Sequence, residues 1–159
     1  MYPILKRQNQ ILSLGFVAAR IDESAFILVG ILAVLSIVSL AQENAGGEEG
    51  AIAYTLAEIK DWTFLLGPGF VVGVGNGLIL GYLMFRSGLV PRWLTMFGLV
   101  GGPLLILSGV LVMFGVDRPH GALQGIATVP EFIWELGLGI YATVWGFRAV
   151  PILTAYRDA

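Results

Sequence analysis

The chain has 159 residues, 57% of them hydrophobic and 13% charged, with a mean hydropathy of +0.83, whereas a soluble domain carries about 25% charged residues. This composition indicates an integral membrane protein, and a net charge of −2 excludes a basic surface for nucleic acid. Because the chain has no cysteine and a single histidine, His120, we exclude disulfides, thiolate chemistry and histidine-rich metal sites, and expect no metal and no cofactor.

Four apolar stretches are long enough to cross about 30 Å of hydrocarbon, which takes about 20 helical residues. They cover residues 11–40, 62–85, 94–116 and 123–150. We predict helices, because a backbone in lipid must satisfy its own hydrogen bonds and these stretches lack the alternation of barrel strands. The expected fold is all-α, a bundle of four transmembrane helices in a single domain of residues 1–159. A short interfacial helix is predicted from Ile52 in the first outer loop.

The charges in the loops predict the orientation of this bundle. Six basic residues lie before the first span, between the second and third, and at the end of the fourth or beyond it: Lys6, Arg7, Arg86, Arg92, Arg148 and Arg157. The opposite loops hold only Lys60 and Arg118. Because basic loops favour the cytoplasm, we expect a multi-pass protein of the inner (plasma) membrane with both termini cytoplasmic.

The second span contains the glycine-rich stretch GPGFVVGVGNGLILG at residues 67–81. A dinucleotide-binding loop needs polar neighbours and an acidic residue about 20 positions later, whereas this stretch is apolar apart from Asn76. Glycines repeated every four residues instead form a smooth stripe against which another helix packs, although a flat lipid or ligand is an alternative partner. The predicted packing residues are Gly69, Gly73, Gly77 and Gly81, with Gly98 and Gly102 repeating the pattern on the third span.

Ionisable and polar side chains inside the spans form the candidate ligand-binding site. Arg20 falls near mid-membrane, and Glu23 lies one turn further along the same helix. Glu131 and Glu135, four residues apart, share one face of the fourth span at a similar depth. Since a charge at the bilayer centre costs about 3 kcal/mol or more, these groups should face inward and pair. The complete predicted set is Arg20, Glu23, Asn76, Glu131, Trp134 and Glu135.

The charges in this set do not balance, because Arg20 is the only cation among several carboxylates. At least one carboxylate should be protonated, exposed to a water cavity or paired with a cation. The set could be a structural staple, a pocket for a small molecule, proton or cation, or an acid–base pair for catalysis. We favour a non-enzymatic protein that binds or moves such a ligand, with no catalytic residue assigned. The alternatives are a subunit packing through its glycine stripes, against other membrane proteins or a second copy, and an intramembrane enzyme.

Three segments, DWTFLLGPGF (61–70), GYLMFRSGLVPRW (81–93) and GLVGGPLLILSG (98–109), resemble a bacterial integral-membrane family known as domain of unknown function 4386. YPILKRQNQILSLGFVAARIDE (2–23) is also similar to that family's segment with a central Arg and Glu. The resemblance covers nearly the whole chain and implies a helical protein in the lipid bilayer, but no reaction or ligand. It also implies further transmembrane sequence before the Tyr-Pro segment. With Met1 directly before this segment, we expect a short variant, a truncated chain or a late start codon.

Overall fold

The computed structural model describes residues 1–43, 49–150 and 153. Every regular element in this part of the chain is helical, which confirms the predicted all-α class. The α-helices are α1 (Tyr2–Leu5), α2 (Gln10–Glu43), α3 (Glu49–Phe64), α4 (Gly81–Ser87), α5 (Arg92–Met113) and α6 (Ala122–Val144). Two π-helical stretches, the first π segment (Leu65–Val71) and the second π segment (Gly73–Leu80), connect α3 to α4.

Three helices in the described residues are long and apolar enough to cross a membrane: Gln10–Gln42, Gly50–Ser87 and Arg92–Met113. Helix α6 has 23 residues, which extend about 34 Å and would also reach across the hydrocarbon. Its two glutamates, Glu131 and Glu135, lower its hydropathy below that of the other three helices. The structure therefore supports three spans by length and composition, and α6 as the fourth span is part of the proposal below.

The predicted interfacial helix from Ile52 is not a separate element. Helix α3 begins at Glu49 and continues through the π segments, so that Gly50–Ser87 forms one helix of 38 residues. Neither glycine nor proline occurs between residues 51 and 66, so the sequence contains no signal that would end a helix there. At 1.5 Å per residue this helix is about 57 Å long, and it must therefore extend beyond the hydrocarbon.

The two π segments occur where the chain is rich in glycine and contains Pro68. Proline has no backbone N–H, and glycine is a poor α-helix former, so both weaken the regular α-helical hydrogen-bond pattern. The π segments use bonds between residues five apart instead; for example, the Gly81 N–H donates to the Asn76 carbonyl.

Glycines of the π segments allow close approach of two neighbouring helices. A Cβ atom built at Gly77 would lie 2.5 Å from the Gly102 Cα, and one at Gly73 would lie 2.8 Å from the Gly102 carbonyl oxygen. A Cβ at Gly75 would lie 2.6 Å from the Ala19 Cβ. Helices α5 and α2 thus pack against different sides of the π segments. Helix α6 packs mainly on α5, which leaves α2 and α6 as the outer helices.

The two ends of the bundle differ in charge. At one end, called here the basic end, a core that includes Leu5, Met84 and Leu89 joins α1, α4 and the α4–α5 connection. The Arg148 N–H donates to the Leu89 carbonyl there, at 2.9 Å. At the other end, the histidine end, His120 Nε2 lies 3.2 Å from Asp61 Oδ1. Five of the basic residues that the sequence assigned to one side therefore lie at the same end: Lys6, Arg7, Arg86, Arg92 and Arg148. Arg157 lies outside the described residues.

Candidate functional site

Charged groups from two outer helices meet beside the second π segment. Arg20 Nη1 lies 2.6 Å from Glu23 Oε2 on the same helix, α2. The same nitrogen lies 3.8 Å from Glu135 Oε1 on α6. The guanidinium of Arg20 is therefore shared by two carboxylates, and it is much closer to Glu23 than to Glu135.

Asn76 connects the second π segment to α6 through both its side chain and its backbone. Its Nδ2 donates a hydrogen bond to Glu135 Oε1. Its carbonyl oxygen accepts a hydrogen bond of 3.1 Å from Trp134 Nε1. Because Trp134 and Glu135 are consecutive residues, these two bonds fix both the position and the rotation of α6 at this level.

Trp134 is fully buried between α6 and α5. A Cβ atom built at Gly98 would lie 2.8 Å from the indole Cδ1, so only glycine leaves room for the ring. Trp134 belongs to the ligand-binding set predicted from the sequence. The indole packs against Gly98 and also lines the groove described below.

Glu131 lies one helical turn from Glu135 but is not part of the ion pair. Its residue is only 3% exposed, and neither carboxyl oxygen has a hydrogen-bond partner in the described part of the chain. A Cβ atom at Gly77 or at Gly101 would lie 2.9 Å from its Oε2. An ionised carboxylate without partners is strongly destabilised in a medium of low polarity. The carboxyl group of Glu131 is thus held among glycine backbones, apart from Arg20.

Arg20 and Glu135 face a groove between α2 and α6, which we call the α2–α6 groove. Their side chains are 45% and 43% exposed, compared with 11% for Glu23. The groove has a volume of about 320 Å³, and Asn76 and Trp134 also line it. Its remaining lining is apolar and consists of Met1, Phe16, Leu80, Leu138, Gly139 and Ala142.

The sequence predicted that these charged groups face inward, and this is correct for Glu23 and Glu131 only. Arg20 and Glu135 instead reach toward each other across the open groove. The reason is that α2 packs on α3 and the π segments while α6 packs on α5, so none of the described helices covers the side on which the two residues meet. The described residues contain no group of three or more His, Asp or Glu side chains that could hold a metal ion.

A sequence model of one protein family, the domain of unknown function DUF4386, matches residues 1–146 of this chain. The chain belongs to this family. No curated protein and no solved structure matches it. The family assignment agrees with the resemblance described above for residues 2–23, 61–70, 81–93 and 98–109. The site is interpreted from its own residues.

Several residues that shape the site of this protein were not predicted from the sequence. Gly101 contacts Glu131, and Gly75 allows α2 to approach the second π segment. Gly101 precedes Gly102, which was predicted, and Pro103 follows both. The Gly-Gly-Pro sequence could therefore have indicated Gly101 as a packing residue. Phe16 and Leu138 carried no such signal. In a membrane helix the same apolar residue types face lipid, the protein core or a groove, so the sequence does not distinguish these positions.

Charge and shape together determine what the groove can bind. Around it lie one guanidinium and two carboxylates, from Arg20, Glu23 and Glu135, which leave a surplus of one negative charge when all three are ionised. Asn76 holds Glu135 in place at the groove surface. The arrangement can therefore accept a positively charged group or a hydrogen-bond donor beside Glu135.

Proposed function

We propose that this chain is an integral protein of the bacterial inner membrane that binds a small cation or protonated molecule at the α2–α6 groove. The observation that carries the proposal is the exposure of Glu135 to this groove, next to a guanidinium that lies closer to Glu23. In this proposal α6 is the fourth transmembrane helix, and both termini are cytoplasmic.

The distances support a cation rather than an anion as ligand. Coulomb attraction falls with distance, so Arg20 neutralises Glu23 at 2.6 Å more fully than Glu135 at 3.8 Å. Glu135 keeps a negative charge that a ligand can compensate. An anion would have to displace Glu23 from Arg20 and would then lie beside Glu135.

The exposure of the two partners supports binding rather than a purely structural ion pair. A buried pair needs well-formed geometry to offset the free energy of removing two charges from water. Arg20 and Glu135 are nearly half exposed, and their atoms are 3.8 Å apart, so they have not closed on each other. Glu131, one turn away and without a partner among the described residues, could take part by carrying a proton if the ligand is moved across the membrane.

The alternative of a subunit that packs through glycine stripes has less support. Gly73, Gly77 and Gly102 are occupied by contacts within the chain, and Gly98 is covered by Trp134. A Cβ at Gly69 or Gly81 would meet its nearest atom at 3.8 Å or 3.5 Å, also within the same chain. Most of the stripe thus packs within this chain, which argues against a partner protein at these glycines.

Binding of a simple organic cation tests the proposal. We would titrate the purified full chain in lipid nanodiscs with tetramethylammonium chloride, at constant ionic strength balanced with sodium chloride, and follow heat release. Saturable binding is expected in the wild type, and Glu135→Gln should weaken it by about tenfold, or about 1.4 kcal/mol.

Asp22→Asn is the matched control, because Asp22 is an exposed carboxylate two residues from Arg20 that does not line the groove. It removes the same charge and should leave the affinity unchanged. Equal binding by wild type and Glu135→Gln, or no saturable binding at all, would refute the proposed function.

A further inference from the structure

We infer that the natural ligand of the α2–α6 groove is a hydrophobic ammonium compound, a single apolar chain with a cationic head. The head would pair with Glu135, and the chain would lie along the apolar lining towards Met1. This inference rests on the proposed function and adds the chemical class of the ligand.

The groove is polar at one end and apolar along the rest of its length. Arg20, Asn76 and Glu135 form the polar end. Leu138, Gly139 and Ala142 follow Glu135 by three, four and seven residues on α6, so the apolar lining of this helix extends roughly 10 Å from the carboxylate.

The wall formed by α2 has the same character. Phe16 lies one turn before Arg20, toward the basic end, and lines the groove together with Met1. A second cavity of about 610 Å³ shares Met1, Phe16 and Arg20 and continues along α2 beyond Arg20 to Leu28. An apolar chain attached to the charged head would make van der Waals contact with this lining, which a ligand that carries only a charge would leave uncovered.

The charges at the polar end exclude an anionic amphiphile. A sulfate or carboxylate head would lie beside Glu135, and the guanidinium of Arg20 is already 2.6 Å from Glu23. A zwitterionic lipid would bring its phosphate beside Glu135 together with its ammonium group. The charges therefore favour a ligand with an ammonium head and no anionic group.

The groove is accessible from the side, without separation of the helices. A Cβ atom built at Gly139 meets no other atom within 4 Å, so α6 has open space at the apolar part of the groove. Neighbouring residues of α2, such as Ile21 and Leu28, expose their apolar side chains. A hydrophobic ligand in the bilayer can thus reach the groove directly.

Gly139→Leu provides a test, because it fills the apolar part of the groove and removes no charged or hydrogen-bonding group. Gly125→Leu is the matched control: Gly125 is on the same helix, also has no atom within 4 Å of a built Cβ, and does not line the groove. We would measure the affinities of both variants and the wild type in nanodiscs for tetramethylammonium, decyltrimethylammonium and decyl sulfate. Thermal unfolding would show that both variants fold.

The wild type should bind decyltrimethylammonium about tenfold or more tightly than tetramethylammonium, because its chain brings it into the bilayer beside the groove and packs along the apolar lining. Gly139→Leu should weaken the binding of decyltrimethylammonium by about tenfold more than the binding of tetramethylammonium, whereas Gly125→Leu should change neither affinity. Partitioning of the decyl chain into lipid is the same for all three proteins and cancels in this comparison. Decyl sulfate should bind much more weakly than decyltrimethylammonium to the wild type.

Two results would overturn the inference while the proposed function stands. The first is Glu135-dependent binding of tetramethylammonium with no larger effect of Gly139→Leu on decyltrimethylammonium than on tetramethylammonium. The second is tighter binding of decylphosphocholine, measured in the same assay, than of decyltrimethylammonium. Equal affinity for decyl sulfate and decyltrimethylammonium would overturn it as well, since charge would then not select the ligand. Absence of binding of either cation to the wild type would overturn both.

Discussion

Asn76 and Glu135 are joined by a hydrogen bond from Asn76 Nδ2 to Glu135 Oε1, across the contact between the second π segment and α6. The same carboxylate oxygen lies 3.8 Å from Arg20 Nη1. An amide from the inner helix and a guanidinium from an outer helix therefore act on one oxygen atom. This relationship makes Glu135 the point at which helix packing and the charge of the groove depend on each other.

Replacement of Asn76 by leucine should destabilise the bundle, because it removes the hydrogen bond that Asn76 donates to Glu135. Loss of the hydrogen bond to a charged group is expected to cost about 1.5–3 kcal/mol in the free energy of unfolding. The double variant Asn76→Leu/Glu135→Leu should be more stable than the sum of the single losses predicts, because the two changes remove the same bond. Thermal unfolding in detergent measures all four proteins. Additive losses would show that the bond contributes nothing to stability.

Arg20→Leu should leave Glu23 and Glu135 without their shared cation. We expect a loss of about 1–3 kcal/mol, part of which Glu135→Gln restores when the two changes are combined, because one unpaired charge is then removed. Asp22→Asn combined with Arg20→Leu is the control and should restore nothing, since Asp22 does not contact Arg20. Unfolding by denaturant in detergent would separate the two combinations. If both behave alike, Arg20 and Glu135 do not share a site.

Two glycines of the predicted stripe should respond differently to substitution by alanine. The Cβ of Gly77→Ala would lie 2.5 Å from the Gly102 Cα, so α5 must move away, and we expect a loss of more than about 1 kcal/mol. Gly81→Ala meets its nearest atom at 3.5 Å and should be neutral or stabilising by up to about 1 kcal/mol through helix propensity. Melting temperatures of the two variants give the comparison. Equal melting temperatures would show that α5 yields easily at Gly77.

Cysteine labelling in intact cells tests the proposed orientation. Ser87 lies at the basic end, and Val116 lies in the connection between α5 and α6 at the histidine end. Because the basic end should face the cytoplasm, an impermeant thiol reagent is expected to label Val116→Cys and not Ser87→Cys. Labelling of both after permeabilisation is the control for reactivity. The reverse pattern in intact cells would invert the topology.

The sequence by itself determined that this chain forms long apolar helices, because hydropathy and length are local properties that sum along a segment. The predicted span at residues 11–40 corresponds to α2 (Gln10–Glu43), and that at 94–116 to α5 (Arg92–Met113). The fourth prediction ran to residue 150, whereas α6 ends at Val144, shortly before Gly146 adopts a φ of 69°. Hydropathy does not reveal such an end, since apolar residues continue beyond Val144 to Val150.

Only the tertiary structure decided which carboxylate meets Arg20. Glu131 and Glu135 are four residues apart and differ by about 40° around the helix, so the sequence placed both on one face. Rotation of α6, fixed by the two bonds to Asn76, directs Glu135 to the groove and Glu131 against Gly77 and Gly101. The helix rotation depends on contacts between residues about 60 positions apart, and the spacing of charges along one helix does not contain that information.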